Sequence, residues 1–316
     1  MDPLSDVLRA VRLTDAYFYL VEAARDWSVA STPAREIAPR ILPESEHLIA
    51  YHVVSEGECW GGVDGGARLR LRAGDVIVFP HGDAHTMASA PVCAPGVEEQ
   101  GASPARYPDT VTIGRGPAAT RLVCGFLGCD ARPFNPLIAA LPRVVHMPSA
   151  GSGGWLATFP EQAVLESRNG AVGAETMLTR MAELMFIEVL RRYIDGLGEE
   201  QVGWFAALRD PVVGKALRIL HERPAEAWTL PELAREVAAS RTVLAERFTQ
   251  LVGVPPMQYL AKWRLQLAAE LLARGSAKVA AVGMQVGYES ESAFSRAFKR
   301  ETGVAPGVWG RRGSGE

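Results

Sequence analysis

The sequence predicts an α+β protein of several domains: a β-rich N-terminal domain over residues 1–150, a helical connector over 151–209 and an all-α C-terminal domain over 210–316. Three observations carry this reading. Short runs of β-branched and aromatic residues, divided by Gly and Pro, recur through the first part of the chain. One long stretch, Val172 to Leu197, has apolar residues at helical spacing. Two helical hairpins of one plan then follow each other near the C-terminus.

At 316 residues, 48% hydrophobic and 22% charged, the chain has a globular composition and length for two domains. No run of about 18 apolar residues is present, nor a basic N-terminal region followed by an apolar one. A cytoplasmic location without a membrane partner is expected. The four cysteines, Cys59, Cys93, Cys124 and Cys129, read as reduced, buried or metal-bound rather than as a disulfide framework. The net charge of −3 is unevenly spread. From Asp210 onward 15 Lys and Arg stand against 11 Asp and Glu, net +4, while the remainder holds 18 against 25, net −7. A nucleic-acid partner therefore suits the C-terminal domain, and phosphate would repel the first.

Leu4, Val7, Leu8 and Val11 predict a short helix within Met1–Thr14. Tyr17–Val21, His47–Val54, Ala67–Leu71 and Val76–Phe79 read as strands, and many short strands with glycine turns point to a sandwich or barrel. In Gly74–His85, GDVIVFPHGDAH, two turns flank Val76–Phe79 and the second aims His85 inward, while His81 beside a turn glycine reads as exposed. This stretch is similar to the second motif of the cupins, and His52–Trp60, HVVSEGECW, resembles the strand and turn of the first. The resemblance implies a cupin-like β-barrel. It also implies a His-x-His pair and a glutamate as metal ligands, but this chain has no His-x-His. The donors that remain are His52, Cys59, His85 and Cys124, and sulfur with imidazole would suit zinc better than iron or manganese. The plainer reading makes them core residues satisfied by their neighbours.

Val92–Ala119, rich in Pro, Gly and Ala, reads as a long loop, either disordered or a lid over a binding site between strands, and Thr120–Cys129 returns to strand chemistry. In the connector, Met177, Leu178, Met181, Leu184, Met185 and Val189 form one broad apolar face bounded by Gly173 and Gly196. That face is either plain core or the seam of a homodimer. Glu199–Asp210 would be the linker beyond it.

Within Thr229–Gly253, Leu230, Leu233 and Val237 lie on one helix, Ala238–Ser240 make the turn, and Leu244, Phe248 and Leu251 lie on the next. The second copy has Val279, Val282 and Val286, then Gly287, then Ala293, Phe294, Ala297 and Phe298. Each second helix stops at a glycine and is followed by a proline-opened continuation. The last carries Ser292, Ser295, Arg296, Lys299 and Arg300 on its open side, which suits a DNA major groove.

The run Gly287–Pro306, GYESESAFSRAFKRETGVAP, resembles the signature of the AraC/XylS transcription regulators, and that resemblance covers Asp210–Arg312. Phe134–Pro148 also resembles the end of the sensor domain in a cupin-bearing subgroup of that family. The resemblance implies two helix-turn-helix units joined by a long helix, Pro256–Arg274, with double-stranded DNA as partner. It places base-facing side chains at Arg241, Thr242, Ala245 and Glu246 and at Ser292, Ala293 and Arg296, with Arg247, Ser295, Lys299 and Arg300 beside them. At Glu246 relatives often carry arginine. A small-molecule effector, homodimer pairing and RNA polymerase as a further partner are expected. The expected function is that of a non-enzymatic regulator. The competing class is a metal-dependent cupin oxygenase with a DNA-binding tail, against which count the missing ligands and the absence of another acid, base or nucleophile constellation.

Overall fold

A computed structural model describes residues 2–11, 13–92, 99–101, 110–130, 133–149, 156, 158–169, 171–198, 200–275 and 278–313. Two compact units emerge. One holds Leu13–Asp130 and Leu141–Gly196, and the other Met1–Arg12, Ala131–Ala140 and Leu197–Glu316. This division differs from the sequence boundaries. The helical unit takes the N-terminal helix and a segment assigned to the β-rich domain, and the connector divides at Gly196.

The first unit is built on two sheets. One joins β1 (Leu13–Ala23), β3 (His47–Glu56), β6 (Val76–Phe79), β9 (Thr110–Ile113), β10 (Thr120–Cys129) and β11 (Val145–Met147), in the order β11-β6-β3-β10-β1-β9. The other joins β2 (Ser28–Ser31), β4 (Glu58–Val63), β5 (Leu69–Arg72), β7 (His85–Ala88) and β8 (Glu99–Gly101), in the order β5-β4-β7-β2-β8. The expected barrel is therefore corrected to an open pair of sheets. Among the described residues no ladder closes one sheet on the other, and the edges are blunted by being short, three or four residues each. Residues two apart share a face, so Tyr19, Val21 and Ala23 of β1, Leu48, Ala50 and Val54 of β3, and Leu122, Cys124 and Phe126 of β10 enter one core. Strands β8 and β9 fall inside the stretch read as a loop; Cys93 and the rest of the expected lid at 93–98 and 102–109 lie outside the described residues.

Three helices complete this unit, α2 (Ala34–Ile41), α4 (Phe159–Asn169) and α5 (Ala174–Asp195). Only part of the methionine stripe is core: Leu178, Met185 and Val189 are buried, whereas Met177 and Leu184 are 53% and 54% exposed.

In the second unit, α1 (Pro3–Ala10) is capped by Asp2, whose carboxylate accepts from the Ser5 amide. The unit continues with α3 (Pro136–Ala140), α6 (Trp204–Arg209), α7 (Val213–Glu222), α8 (Leu230–Glu236), α9 (Arg241–Val252), α10 (Pro256–Ala273), α11 (Val279–Gln285), α12 (Glu291–Thr302) and α13 (Pro306–Gly313). Both hairpins are present, α8 with α9 and α11 with α12. Their turns solve one backbone problem differently. After α11 the left-handed position is Gly287 at φ 91°, and after α8 it is Ala238 at φ 57°, the one non-glycine at positive φ among the described residues. A Cβ at Gly287 would stand 2.6 Å from the Ala225 carbonyl oxygen, so glycine is required there by space as well as by φ.

Left-handed backbone strains an alanine by about 1 to 2 kcal/mol. Ala238→Gly is therefore expected to raise the helical unit's stability by roughly 0.5 to 1 kcal/mol, after the entropy that glycine loses on folding. Gly287→Ala should lower it by about 2 kcal/mol or more. Denaturant unfolding of both variants checks the contrast, and equal effects of one sign would contradict it.

Candidate functional site

The two second helices of the hairpins, α9 and α12, are built alike. Ser240 Oγ accepts from the Val243 amide and Ser290 Oγ from the Ala293 amide, each capping an orphan donor of the first turn. Leu244 and Phe248 anchor α9, and Phe294 and Phe298 anchor α12, all four fully buried. Caps and anchors thus recur at a separation of 50 residues, which makes Thr242 equivalent to Ser292, Ala245 to Ser295, Glu246 to Arg296, Thr249 to Lys299 and Gln250 to Arg300.

The open faces carry most of the residues expected at DNA. Arg241, Thr242, Glu246, Ser292, Arg296, Lys299 and Arg300 are exposed, while Ala245, Ala293 and Ser295 are half-buried on the same helices. Val243, 48% exposed on α9, had no place in the sequence reading. It lies off the apolar stripe beside Leu244, and an apolar group there can meet a thymine methyl. One expected cation, Arg247, is otherwise engaged, and so is Lys262 on α10. Arg247 Nε donates to Asp210 Oδ2 at 2.5 Å, and the Asp210 side chain is 7% exposed. Burial opposes the Asp210 charge, but hydrogen bonds from the Val213 amide, Arg247 and the Val212 amide outweigh it and hold the carboxyl below its usual range. Lys262 Nζ lies 3.7 Å from Glu301 and 5.7 Å from the centre of the Phe134 ring.

What fixes one hairpin against the other is Arg264, which the sequence did not single out. From α10 its Nε donates to the Pro224 carbonyl at 2.6 Å, Nη2 to Glu226 O at 2.6 Å and Nη1 to Gly287 O at 3.2 Å. The first two carbonyls precede α8 and the third belongs to the turn between α11 and α12. A planar guanidinium spreads five donors over three nitrogens and so reaches three separate carbonyls, whereas lysine's three donors all sit on one nitrogen.

In the sheet unit the register explains a second cluster. Cys124 of β10 pairs with Tyr19 of β1 on one side and His52 of β3 on the other. His52 Nδ1 is 2.9 Å from Cys124 Sγ, and His52 Nε2 is 2.8 Å from His85 Nε2 on the opposite sheet. His85 Nδ1 lies 2.9 Å from the Asp83 carbonyl, which can only accept, so this nitrogen carries the proton. The chain then runs from Cys124 S–H to His52 Nδ1, from His52 Nε2–H to His85 Nε2, and from His85 Nδ1–H to Asp83 O. His85 also stacks on Phe79, ring centroids 3.9 Å apart.

Three of the four expected metal donors are brought together, and Cys59 lies in the same core. The arrangement does not fit a metal ion. All four ring nitrogens point at protein partners, and no group of three or more His, Cys, Asp or Glu among the described residues is placed to hold one. Burial raises the Cys124 thiol well above its ordinary range and Cys59 to about 12, which favours thiols over metal-binding thiolates. His81, read as exposed, is half-buried with Nε2 2.9 Å from the Leu141 carbonyl.

Burial, and then the neighbouring His85, holds His52 well below the usual histidine range; burial holds His85 down to about 4. These histidines fold neutral, so their stabilisation is complete above the unfolded value of about 6.5 and is lost as pH falls toward the folded one. Stability of the sheet unit should fall by up to about 1.4 kcal/mol per pH unit per histidine between pH 6.5 and about 4. Unfolding midpoints of wild type and His85→Gln across that range measure this, with a shallower slope expected for the variant. Equal slopes would contradict the assignment.

Comparison with known proteins extends over both units. The family described as Cupin matches residues 2–195, and the one described as Helix-turn-helix domain matches residues 233–312. A putative AraC-like transcription regulator of Streptomyces lividans is 34% identical over 312 residues, 97% of each chain. The HTH-type transcriptional regulator AlkR of Acinetobacter baylyi is 26% identical over 315 residues, 97% of this chain and 98% of its own. The RCS-specific HTH-type transcriptional activator RclR of Escherichia coli is 27% identical over 270 residues, 84% of this chain and 85% of its own.

Proposed function

The chain belongs to the AraC-like transcription regulators, with a cupin-family N-terminal region and a C-terminal helix-turn-helix domain, and from that premise we propose how it reads DNA. It is a sequence-specific DNA-binding regulator, and α9 and α12 enter successive major grooves of one duplex. The observation that carries this is their likeness: one cap, one register of buried anchors and one open face each, on hairpins tied by Arg264.

The two helices have unequal roles. At equivalent positions α9 offers Glu246, Thr249 and Gln250 where α12 offers Arg296, Lys299 and Arg300. The second helix supplies most of the phosphate attraction, and Arg296 can donate twice to a guanine edge. On the first, Glu246 accepts from a cytosine amino group and repels phosphate, so it selects among sequences while adding little affinity.

The sheet unit senses a small molecule and acts without catalysis. Its exposed Met177 and Leu184, one turn pair apart on α5, support pairing of two copies through that helix. RNA polymerase is the further partner such a regulator addresses at a promoter. No described helix is long and apolar enough to cross a membrane, and the cytoplasm, where the DNA lies, is where it works.

Site selection from a random duplex pool, followed by affinity measured across a salt series, tests this reading. Log K should fall linearly with log salt, by about 0.9 per phosphate neutralised. Lys299→Ala should remove roughly one such contact, and Arg247→Ala, whose charge is held by Asp210, should leave the slope unchanged while lowering stability. Arg296→Ala should relax preference at one or two adjacent base pairs, worth about 1 to 3 kcal/mol. If Arg296→Ala weakens every sequence equally, the residue contacts phosphate and the assignment of α12 is wrong.

A further inference from the structure

The Gln266 amide is buried in the helical unit, 1% exposed, in the middle of α10. Its Nε2 donates to the Ala10 carbonyl at 3.0 Å and its Oε1 accepts from the Phe134 amide at 3.0 Å. Those partners come from two distant parts of the chain with one thing in common. Ala10 ends α1, three residues before β1 begins at Leu13, and Phe134 lies five residues after β10 ends at Cys129. Strands β1 and β10 are direct antiparallel neighbours, paired from Leu13 with Cys129 to Ala23 with Thr120. One side chain therefore grips both chain ends that leave a single strand pair.

The strand pair is where a change in the sheet core would register. Tyr19 and Cys124 face one another across it, and Cys124 continues into the His52–His85 chain that joins the two sheets. On the other side of the grip, both segments are seated in the helical unit. Val7, Ala10 and Val11 are buried, Leu137 is 1% exposed, and the Phe134 ring meets Tyr259 edge-on at 5.5 Å. Gln266 and Arg264 stand two residues apart on α10, so they project about 200° apart, to opposite sides of the helix. One holds the strand ends and the other holds the two hairpins.

We propose that Gln266 is the positioning residue through which the sheet unit governs DNA binding: movement of the β1–β10 pair pulls on its amide, α10 shifts, and Arg264 passes the shift to both recognition helices. This rests on the reading that the sheet unit regulates a DNA-binding unit. Coupling of this kind is reciprocal, so DNA must act back on the strands with no effector present.

The test is amide hydrogen exchange of the full-length chain, free and saturated with the duplex that the wild type selects from a random pool. In wild type, DNA should slow exchange near Leu13 and Cys129 by about fivefold or more, the lower range of such couplings. In Gln266→Leu, that response should vanish while α9 and α12 remain protected by DNA. Gln266→Met, unbranched and of similar length, removes both hydrogen bonds without introducing a charge, so the response should be lost in β1 and β10 alike; this variant decides the matter if the first does not fold. Strands that ignore DNA in wild type, or a response that survives Gln266→Leu, would overturn the clamp while leaving DNA binding intact. Failure of wild type to select any duplex would instead overturn the regulator reading itself.

Discussion

Three main-chain carbonyls, those of Pro224, Glu226 and Gly287, meet at one guanidinium, and the geometry of the DNA-reading surface depends on that meeting. Two short hairpins, each held by its own buried side chains, need a further constraint to keep one mutual angle. Arg264 supplies it. Its burial works against its charge, lowering its pKa, and the arrangement persists because directed hydrogen bonds replace the water it gives up. The opposite side of the same helix is closed by Gln266, a buried polar group whose amide is satisfied at both ends. Helix α10 is thus a rod fixed on two sides by directional bonds, with apolar packing from Tyr259, Trp263 and Leu272 between.

The sheet unit follows the same logic. Apolar residues at period two fill the space between two open sheets, and a line of hydrogen bonds from Cys124 through His52 and His85 crosses it. Polar groups in that position must be paired, and pairing specifies the register of β10 on β3 and the seating of β7 opposite. A chain of neutral groups of this kind is a structural tie, and its dependence on neutrality makes it sensitive to whatever charges or displaces one member.

Much of this was legible in the residues. The joining helix was expected at Pro256–Arg274 and runs Pro256–Ala273, and both hairpins, with their glycine stops, stand where the repeat put them. Local spacing is enough to specify such elements. Closure of the sheets was not legible, because it depends on edge strands such as β9 and β11 whose pairing is non-local. Gln266 and Arg264 were missed for a related reason: a polar residue away from an apolar stripe reads as solvated surface, and only the arrival of distant backbone shows otherwise. The methionine stripe misled in the other direction, since periodicity assigns Met177 and Met185 to one broad face while the fold buries only the second. Arg247 read as a DNA contact by its place on α9, and its partner Asp210 lies far back in the sequence. His52, His85 and Cys124 were grouped with Cys59 as donors to a metal; their engagement with one another could not be read before the register was known.

The central claim is that the two recognition helices act as one rigid reader because Arg264 ties them. The most direct measurement is selection by full-length Arg264→Ala from a pool in which the two half-elements of the wild-type site are separated by variable spacers, centred on about one helical turn of DNA. The wild type should recover one spacing, and the variant should recover the same half-elements spread over several spacings. Recovery of the single wild-type spacing by Arg264→Ala, with affinity alone reduced, would contradict the account.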